Sequence, residues 1–203
     1  MSTPTYKMKT PSLDPEKVNA EQKVLFERSK KENKMIPNMF RNMGNHPALL
    51  EAYMNGYSSF RSKSDFTSAE QEVVLLTISA ENNCDYCIEG HSIAADMMSK
   101  VPLAVTEAIR ANTEIPEERL KQLSLFTSVM VNKRGNPSEE DVNAFLNAGY
   151  KEYHILSIIL AISIKTISNY TNHIFDTELD GMMKMRNSTG YKAVRSVVKF
   201  FRG

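Results

Sequence analysis

Asn82 to Ser92 reads NNCDYCIEGHS and holds both cysteines of the chain and one of its four histidines. The order is Cys84, two residues, Cys87, three residues, His91. On a helix, positions i, i+3 and i+7 share a face, so this spacing lets all three side chains look into one pocket. Asn82 and Asn83 supply caps for a helix that starts at Cys84 and runs to about Ser99. Just upstream, Thr67 followed three residues later by Glu70 spells a capping box and opens a helix from Ser68 to about Glu81. Its interior, Val73, Val74, Leu75, Leu76 and Ile78, is apolar nearly all round, which implies burial on several sides. A buried helix that delivers the chain into a thiol pair sets the fold class, and the rest of the chain agrees with it.

Further out, Pro47 opens a helix to Phe60 with Leu49, Leu50, Tyr53, Tyr57 and Phe60 on one side. Pro102 opens Pro102 to Ala111, Pro116 opens Pro116 to Val131, and Ser138 with Asp141 caps Ser138 to Leu146. Gly149 precedes a long apolar helix from about Glu152 to Ile174, whose run Ile155–Ile164 reads as a buried helix. Toward the N-terminus a thin stripe of Val18, Val24, Leu25 and Phe26 lies among charges, and Met35 to Asn45 reads as a turn with a short helix through Met39 and Phe40. No segment alternates polar and apolar residues between turn signals, so the expectation is all-α, a multi-helix bundle. Three regions follow: an extended arm over residues 1–15 with Pro4, Pro11 and Pro15, a helical domain over 16–180, and a basic tail over 181–203. From Met182 onward that tail carries six basic residues and no acidic one, with Val194, Val197, Val198 and Phe201 forming an apolar stripe suited to packing on its own fold or a sister subunit. A faint echo also runs through the chain: Glu72 lies nineteen residues before His91, and His154 nineteen before His173, as in two pseudo-repeated lobes.

Composition bounds the function. At 203 residues, 41% hydrophobic and 24% charged, the chain holds one sizeable core, and a net charge of +1 gives no electrostatic case for nucleic acid. Residues 1–14 are polar and contain no apolar segment, so a secretory signal is not expected and a cytoplasmic setting is. A CxxC pair in a reducing compartment points to chemistry rather than to a disulfide scaffold.

The reacting species in peroxide or disulfide chemistry is thiolate, whereas an ordinary thiol, with a pKa of about 8.5, is mostly protonated at neutral pH. A helix start at Cys84, the base His91 four residues beyond Cys87, and a carboxylate behind that base would each favour thiolate, while the adjacent Asp85 opposes it. Residues three apart on a helix are also close enough to close a disulfide. Other readings of CxxC remain. Zinc would need two more soft ligands, a thioredoxin-type site would need a βαβ setting, and two cysteines can simply be core residues. No metal or other cofactor is expected.

From Glu72 to His91 the chain reads EVVLLTISAENNCDYCIEGH. This resembles the motif of the carboxymuconolactone decarboxylase superfamily, in particular its AhpD-like alkylhydroperoxidase branch: a glutamate, eleven residues, CxxC, and a histidine four residues after the second cysteine. The runs PNMFRNMGNHPALLEAY and NYTNHIFDTELD also look like this superfamily, so the resemblance covers roughly residues 35–180. It implies an all-helical fold assembled as trimers or hexamers. It further implies that Cys87 is the peroxidatic thiol, Cys84 the resolving thiol, and His91 with Glu72 the proton relay. The substrate would be a peroxide and the reductant a dithiol donor, a lipoyl-bearing or thioredoxin-like protein. One departure is Tyr86, which stands where the first-described members carry a histidine. A phenol is a poor proton acceptor but a good hydrogen-bond donor. Glu81 is the carboxylate nearer in sequence, read as a solvated helix end with a possible modulating role. The same residues leave two rivals: a lactone decarboxylase that needs no thiol, and a redox-sensing binding or holdase protein that uses Met182 to Met185 and the basic tail.

Overall fold

Thr67 Oγ1 accepts from the Glu70 backbone N–H while Glu70 returns a carboxylate to the Thr67 N–H, and this reciprocal cap starts the central helix. The computed structural model describes residues 5–186, 188, 190 and 191. Among these it contains ten α-helices and no strand: α1 Ala20–Asn33, α2 Asn38–Met43, α3 Pro47–Lys63, α4 Ser68–Glu81, α5 Asp85–Ile93, α6 Leu103–Ala111, α7 Glu118–Asn132, α8 Glu139–Asn147, α9 Glu152–Phe175 and α10 Gly181–Met185. The all-α expectation holds.

Helix α4 is the hub. Val73, Val74, Leu75, Leu76 and Ile78 are all buried because α5, α6, α7 and α9 pack around them. Against α9 also lies α3, and the two approach closely at Gly56, where a Cβ would come within 2.5 Å of Ile164 Cγ2. A second aromatic layer stacks Phe126 on Phe145 and Phe145 on Tyr150, tying α7 and α8 to the start of α9.

Asn82 and Asn83 separate two helices rather than kink one. Asn82 caps α4, and Asn83 adopts a left-handed conformation (φ 52°), which asparagine tolerates better than most residues. Cys84 is then the N-cap of α5 rather than its first helical residue. Ala94–Met98 extend α5 as a π-helical turn.

The described part of the N-terminal arm lies on its own chain. Met8 N–H donates to the Ile174 carbonyl at 2.8 Å, and Leu13 N–H donates to the Arg41 carbonyl at 3.2 Å. The nineteen-residue echo is not matched in shape. Glu72 to His91 is broken at Asn82–Cys84, whereas His154 to His173 lies within one uninterrupted helix. Asn169 and Asn172 stay helical there because their side chains find tertiary partners instead of competing for local backbone. Burial of Ile155–Ile164 is also only partial, since Leu156 and Ile159 are exposed while Ile158, Ala161 and Ile164 face the core. The apolar stripe expected over Val194 to Phe201 lies outside the described residues.

Candidate active site

Cys84 and Cys87 occupy the start of α5, both buried and both free thiols. From α9, Asn172 Nδ2 stands 3.3 Å from Cys87 Sγ and 3.8 Å from Cys84 Sγ, and Ser168 Oγ lies 3.9 Å from Cys87 Sγ. The two sulfurs compete for a proton. Cys87 is held well below the ordinary thiol range, first by the hydrogen bond it receives from Cys84; burial opposes this, and the Lys165 ammonium and then His91 reinforce it. Cys84 is pushed well up, first because it donates that hydrogen bond and then by burial. One thiolate, at Cys87, is the state this geometry favours.

The base is built from three helices. His91 on α5 places Nδ1 2.9 Å from Glu72 Oε2 on α4 and Nε2 3.0 Å from Lys165 Nζ on α9. An ammonium has no acceptor, so Lys165 donates to Nε2, and Nδ1 must carry the ring proton and donate it to Glu72. Burial first, then the neighbouring Lys165 charge, lower the His91 pKa against the pull of Glu72, so the imidazole is neutral. Burial alone would raise the Glu72 carboxyl, but the hydrogen bond from His91 and the Arg61 guanidinium outweigh it and hold the group below its usual value. Arg61 also contacts the Tyr57 hydroxyl and Gln71, which anchors it on α3.

This arrangement differs from direct proton transfer between Cys87 and His91. Both ring nitrogens of His91 are occupied, and the cation beside the Cys87 sulfur is Lys165. Tyr86 turns away from the thiols: its hydroxyl donates to Asp180 Oδ2 at 2.5 Å, while Asp180 Oδ1 accepts from the Asn38 N–H at 3.0 Å. Burial, then the Asp180 carboxylate, push the Tyr86 phenol well up, so it remains a donor. Glu81 is not part of the cluster; it accepts from Ser128 and from Asn132 Nδ2, the latter at 2.8 Å, on the α7 side of α4.

A cavity of about 430 Å³ opens onto the site. Cys87, His91 and Lys165 form its reactive wall, and Cys84 is not among the residues that line it. The other walls are aromatic and methionine-rich, with Tyr53, Tyr57 and Phe40 on one side and Met182 and Met183 of α10 on another. Such walls accept an apolar body and leave polar recognition to the reactive end.

The structure thus brings Glu72, Cys84, Cys87 and His91 together and adds Lys165, Arg61, Asn172 and Asp180, which the motif did not name. A signal for some of these was present. Lys165, Ser168, Asn169 and Asn172 fall at i, i+3, i+4 and i+7 on an otherwise apolar helix, a polar stripe that needs a polar destination.

No protein-family model matches the sequence, and no curated protein matches it. Solved structures do match in fold. A Ralstonia eutropha JMP134 protein, described as an alkylhydroperoxidase AhpD core and an uncharacterized peroxidase-related protein, superposes with a TM-score of 0.75 at 18% identity, covering 87% of this chain and 94% of that one. An uncharacterized peroxidase-related protein from Silicibacter sp. TM1040 gives 0.73 at 19% identity, covering 90% and 97%. The debrominase Bmp8, as a cysteine-to-alanine variant in complex with 2,3,4-tribromopyrrole, gives 0.65 at 15% identity, covering 81% and 88%. The chain therefore has the fold of the AhpD-core, peroxidase-related proteins.

Proposed function

We propose that this chain is a thiol-dependent peroxidase and disulfide oxidoreductase acting on an organic hydroperoxide. The observation that carries the reading is the asymmetry of the thiol pair. Cys87 alone of the two faces the cavity, and it is the sulfur beside Lys165 and held as thiolate.

The Cys87 thiolate attacks the terminal oxygen of R–O–OH, the O–O bond breaks, and an S–OH bond forms while RO⁻ leaves. Lys165, backed by His91 and Glu72, protonates the alkoxide to an alcohol. The Cys84 thiol then attacks the Cys87 sulfur; its proton joins the departing hydroxide as water, and the disulfide closes. A dithiol donor, lipoyl-bearing or thioredoxin-like, reduces that disulfide and becomes oxidised in turn. One of the two protons it delivers stays on Cys84, and the other returns to Lys165. A cytoplasmic setting would keep such a donor reduced.

Peroxide consumption with a dithiol reductant tests this. Cys87→Ser should abolish it. Cys84→Ser should give a single turnover with sulfenic acid at Cys87, trapped by a dione reagent. Undiminished consumption in Cys87→Ser would end the proposal.

A second reading draws on the size and apolar lining of the same cavity, which admits a substituted aromatic ring, and on the shared fold with a debrominase. In it, the Cys87 thiolate takes the halogen of R–X as the ring carbon gains a proton, and Cys84 then displaces halide to close the disulfide. Two thiols and R–X become a disulfide, R–H and HX. Halide release from a halogenated phenol or pyrrole, with one disulfide formed per halide, separates this reading from the first.

A further inference from the structure

Among the described residues three phenols line the reactive cavity, Tyr53, Tyr57 and Tyr86, and the protein engages two of them. The Tyr86 hydroxyl donates to Asp180, and the Tyr57 oxygen accepts from the Arg61 guanidinium. Tyr53 differs. It is 4% exposed, and its hydroxyl has no hydrogen-bond partner among the described residues. The oxygen is not sealed into the packing either. The buried polar atoms that are cut off from solvent without a partner belong to other residues, so the Tyr53 hydroxyl opens on the cavity that its ring lines. The ring itself does not need the oxygen. Phe40 meets it edge-on with centroids 5.7 Å apart, and Tyr57 stacks on it, also at 5.7 Å. Phenylalanine would fill the same volume, and a buried hydroxyl that the fold leaves unpaired lowers stability. Its remaining partner is whatever enters the cavity.

Helix packing sets this hydroxyl beside the chemistry. Helices α3 and α9 approach closely at Gly56, next to Tyr57, and Ile164, next to Lys165. The α3 wall therefore stands against the stretch of α9 that carries the cation. Burial first, then Tyr57 and the charge of Cys87, push the Tyr53 phenol well up, so it stays protonated and acts as a donor. Lys165 supplies the other donor of the cavity: one of its three ammonium hydrogens goes to His91 Nε2, and others are left for a ligand. An oxygen atom bound here meets one charged donor and one neutral one.

We infer that Tyr53 is a catalytic residue whose hydroxyl holds the carbon-bound oxygen of an apolar aryl or alkyl hydroperoxide while Cys87 attacks the terminal oxygen. The inference rests on the peroxidase reading above and names the polar anchor of its substrate class. In R–O–OH the carbon-bound oxygen is neutral and accepts weakly. As the Cys87 sulfur bonds the terminal oxygen, the O–O bond breaks and negative charge gathers on the carbon-bound oxygen. The Tyr53 hydrogen bond strengthens with that charge, so its effect is expressed in the transition state more than in binding. Lys165 supplies the proton as before, and the alcohol leaves with the Tyr53 proton still in place. Phe40, Met54 and Met183 give the R group an apolar site, so the oxygens are the part of the substrate that the two donors select.

Tyr53→Phe removes one oxygen and keeps the ring. With cumene hydroperoxide as the probe, the second-order rate of sulfenic acid formation at Cys87, followed in a Cys84→Ser background, should fall by about a hundredfold. Two readouts separate this from a structural role. The pH midpoint of Cys87 alkylation should not move, and the urea midpoint should stay level or rise, because the fold loses an unpaired hydroxyl. An unchanged rate in a chain that does consume the peroxide, a shifted alkylation midpoint, or a lowered urea midpoint would each overturn the assignment. Calorimetric binding of 2-phenyl-2-propanol, the product alcohol, to the reduced protein separates the anchor from the peroxidase reading. Its affinity should fall roughly two- to tenfold in Tyr53→Phe. If that loss appears in a chain that consumes no peroxide, the peroxidase reading fails and the oxygen anchor stands. Equal affinities end the anchor whichever way peroxide consumption falls.

Discussion

Lys165 Nζ stands 3.0 Å from His91 Nε2, and the charge of the same ammonium, after the hydrogen bond from Cys84, lowers the Cys87 thiol. The base and the nucleophile of the CxxC stretch are thus joined through a residue some seventy positions further along the chain.

Removing that charge should leave Cys87 harder to ionise. In Lys165→Met the pH midpoint of Cys87 alkylation should rise by a unit or more. Alkylation rate against pH, read on Cys87 by mass spectrometry, checks this, and an unmoved midpoint would assign thiolate stabilisation to Cys84 and Asn172 alone.

Tyr86→Phe should separate the cavity wall from the chemistry. Losing the phenol leaves Asp180 Oδ2 without its donor beside the start of α10, a cost of about 1–3 kcal/mol. Met182 and Met183 follow directly, so the expected result is a higher KM for bulky hydroperoxides with the alkylation midpoint of Cys87 little changed. Faster hydrogen exchange over residues 181–185 would mark the loosened wall; a kcat loss at unchanged KM would instead place the phenol in the proton path.

Acid should destabilise the fold in two stages. His91 has a folded pKa below its ordinary 6.5, so the unfolded chain takes up that proton first and stability falls as pH drops below about 6.5. The Glu72 carboxyl lies below its ordinary 4.5, so its contribution is full above that value and disappears as pH falls through the folded pKa. Urea unfolding between pH 7.5 and 3 would show both, and His91→Gln should remove the first stage while keeping the second.

Gly56→Ala should destabilise despite the better helix former. The added methyl would meet Ile164 Cγ2 at 2.5 Å, forcing α3 and α9 apart at a cost of about 1–3 kcal/mol, against a propensity gain of about 1 kcal/mol. A raised urea midpoint would show that the two helices can separate without cost.

Much of this molecule was readable before folding because its signals are local. Thr67 and Glu70 form their capping box within one turn, Ser138 and Asp141 do the same for α8, and apolar periodicity marks α4 as a hub. The spacing of Glu72, Cys84, Cys87 and His91 is likewise a property of adjacent elements, α4 and α5, joined by a two-asparagine break that leaves little freedom in how they meet. Lys165 was different. In the sequence it ends an apolar run and reads as a boundary, and only the packing of α9 against α4 and α5 shows that it points inward.

By itself, then, the sequence determined the all-helical class, the position of most helix starts and the local grouping of the thiol pair with its base, since caps, periodicity and short spacings act over a few residues. Tertiary structure alone decided which cysteine faces the cavity, which cation stands beside it, that Tyr86 is drawn to Asp180, and that Lys165 of α9 is buried while Leu156 and Ile159 of the same helix are exposed. Those depend on the rotation of one helix against another, and that angle is set by the packing of the whole core around α4.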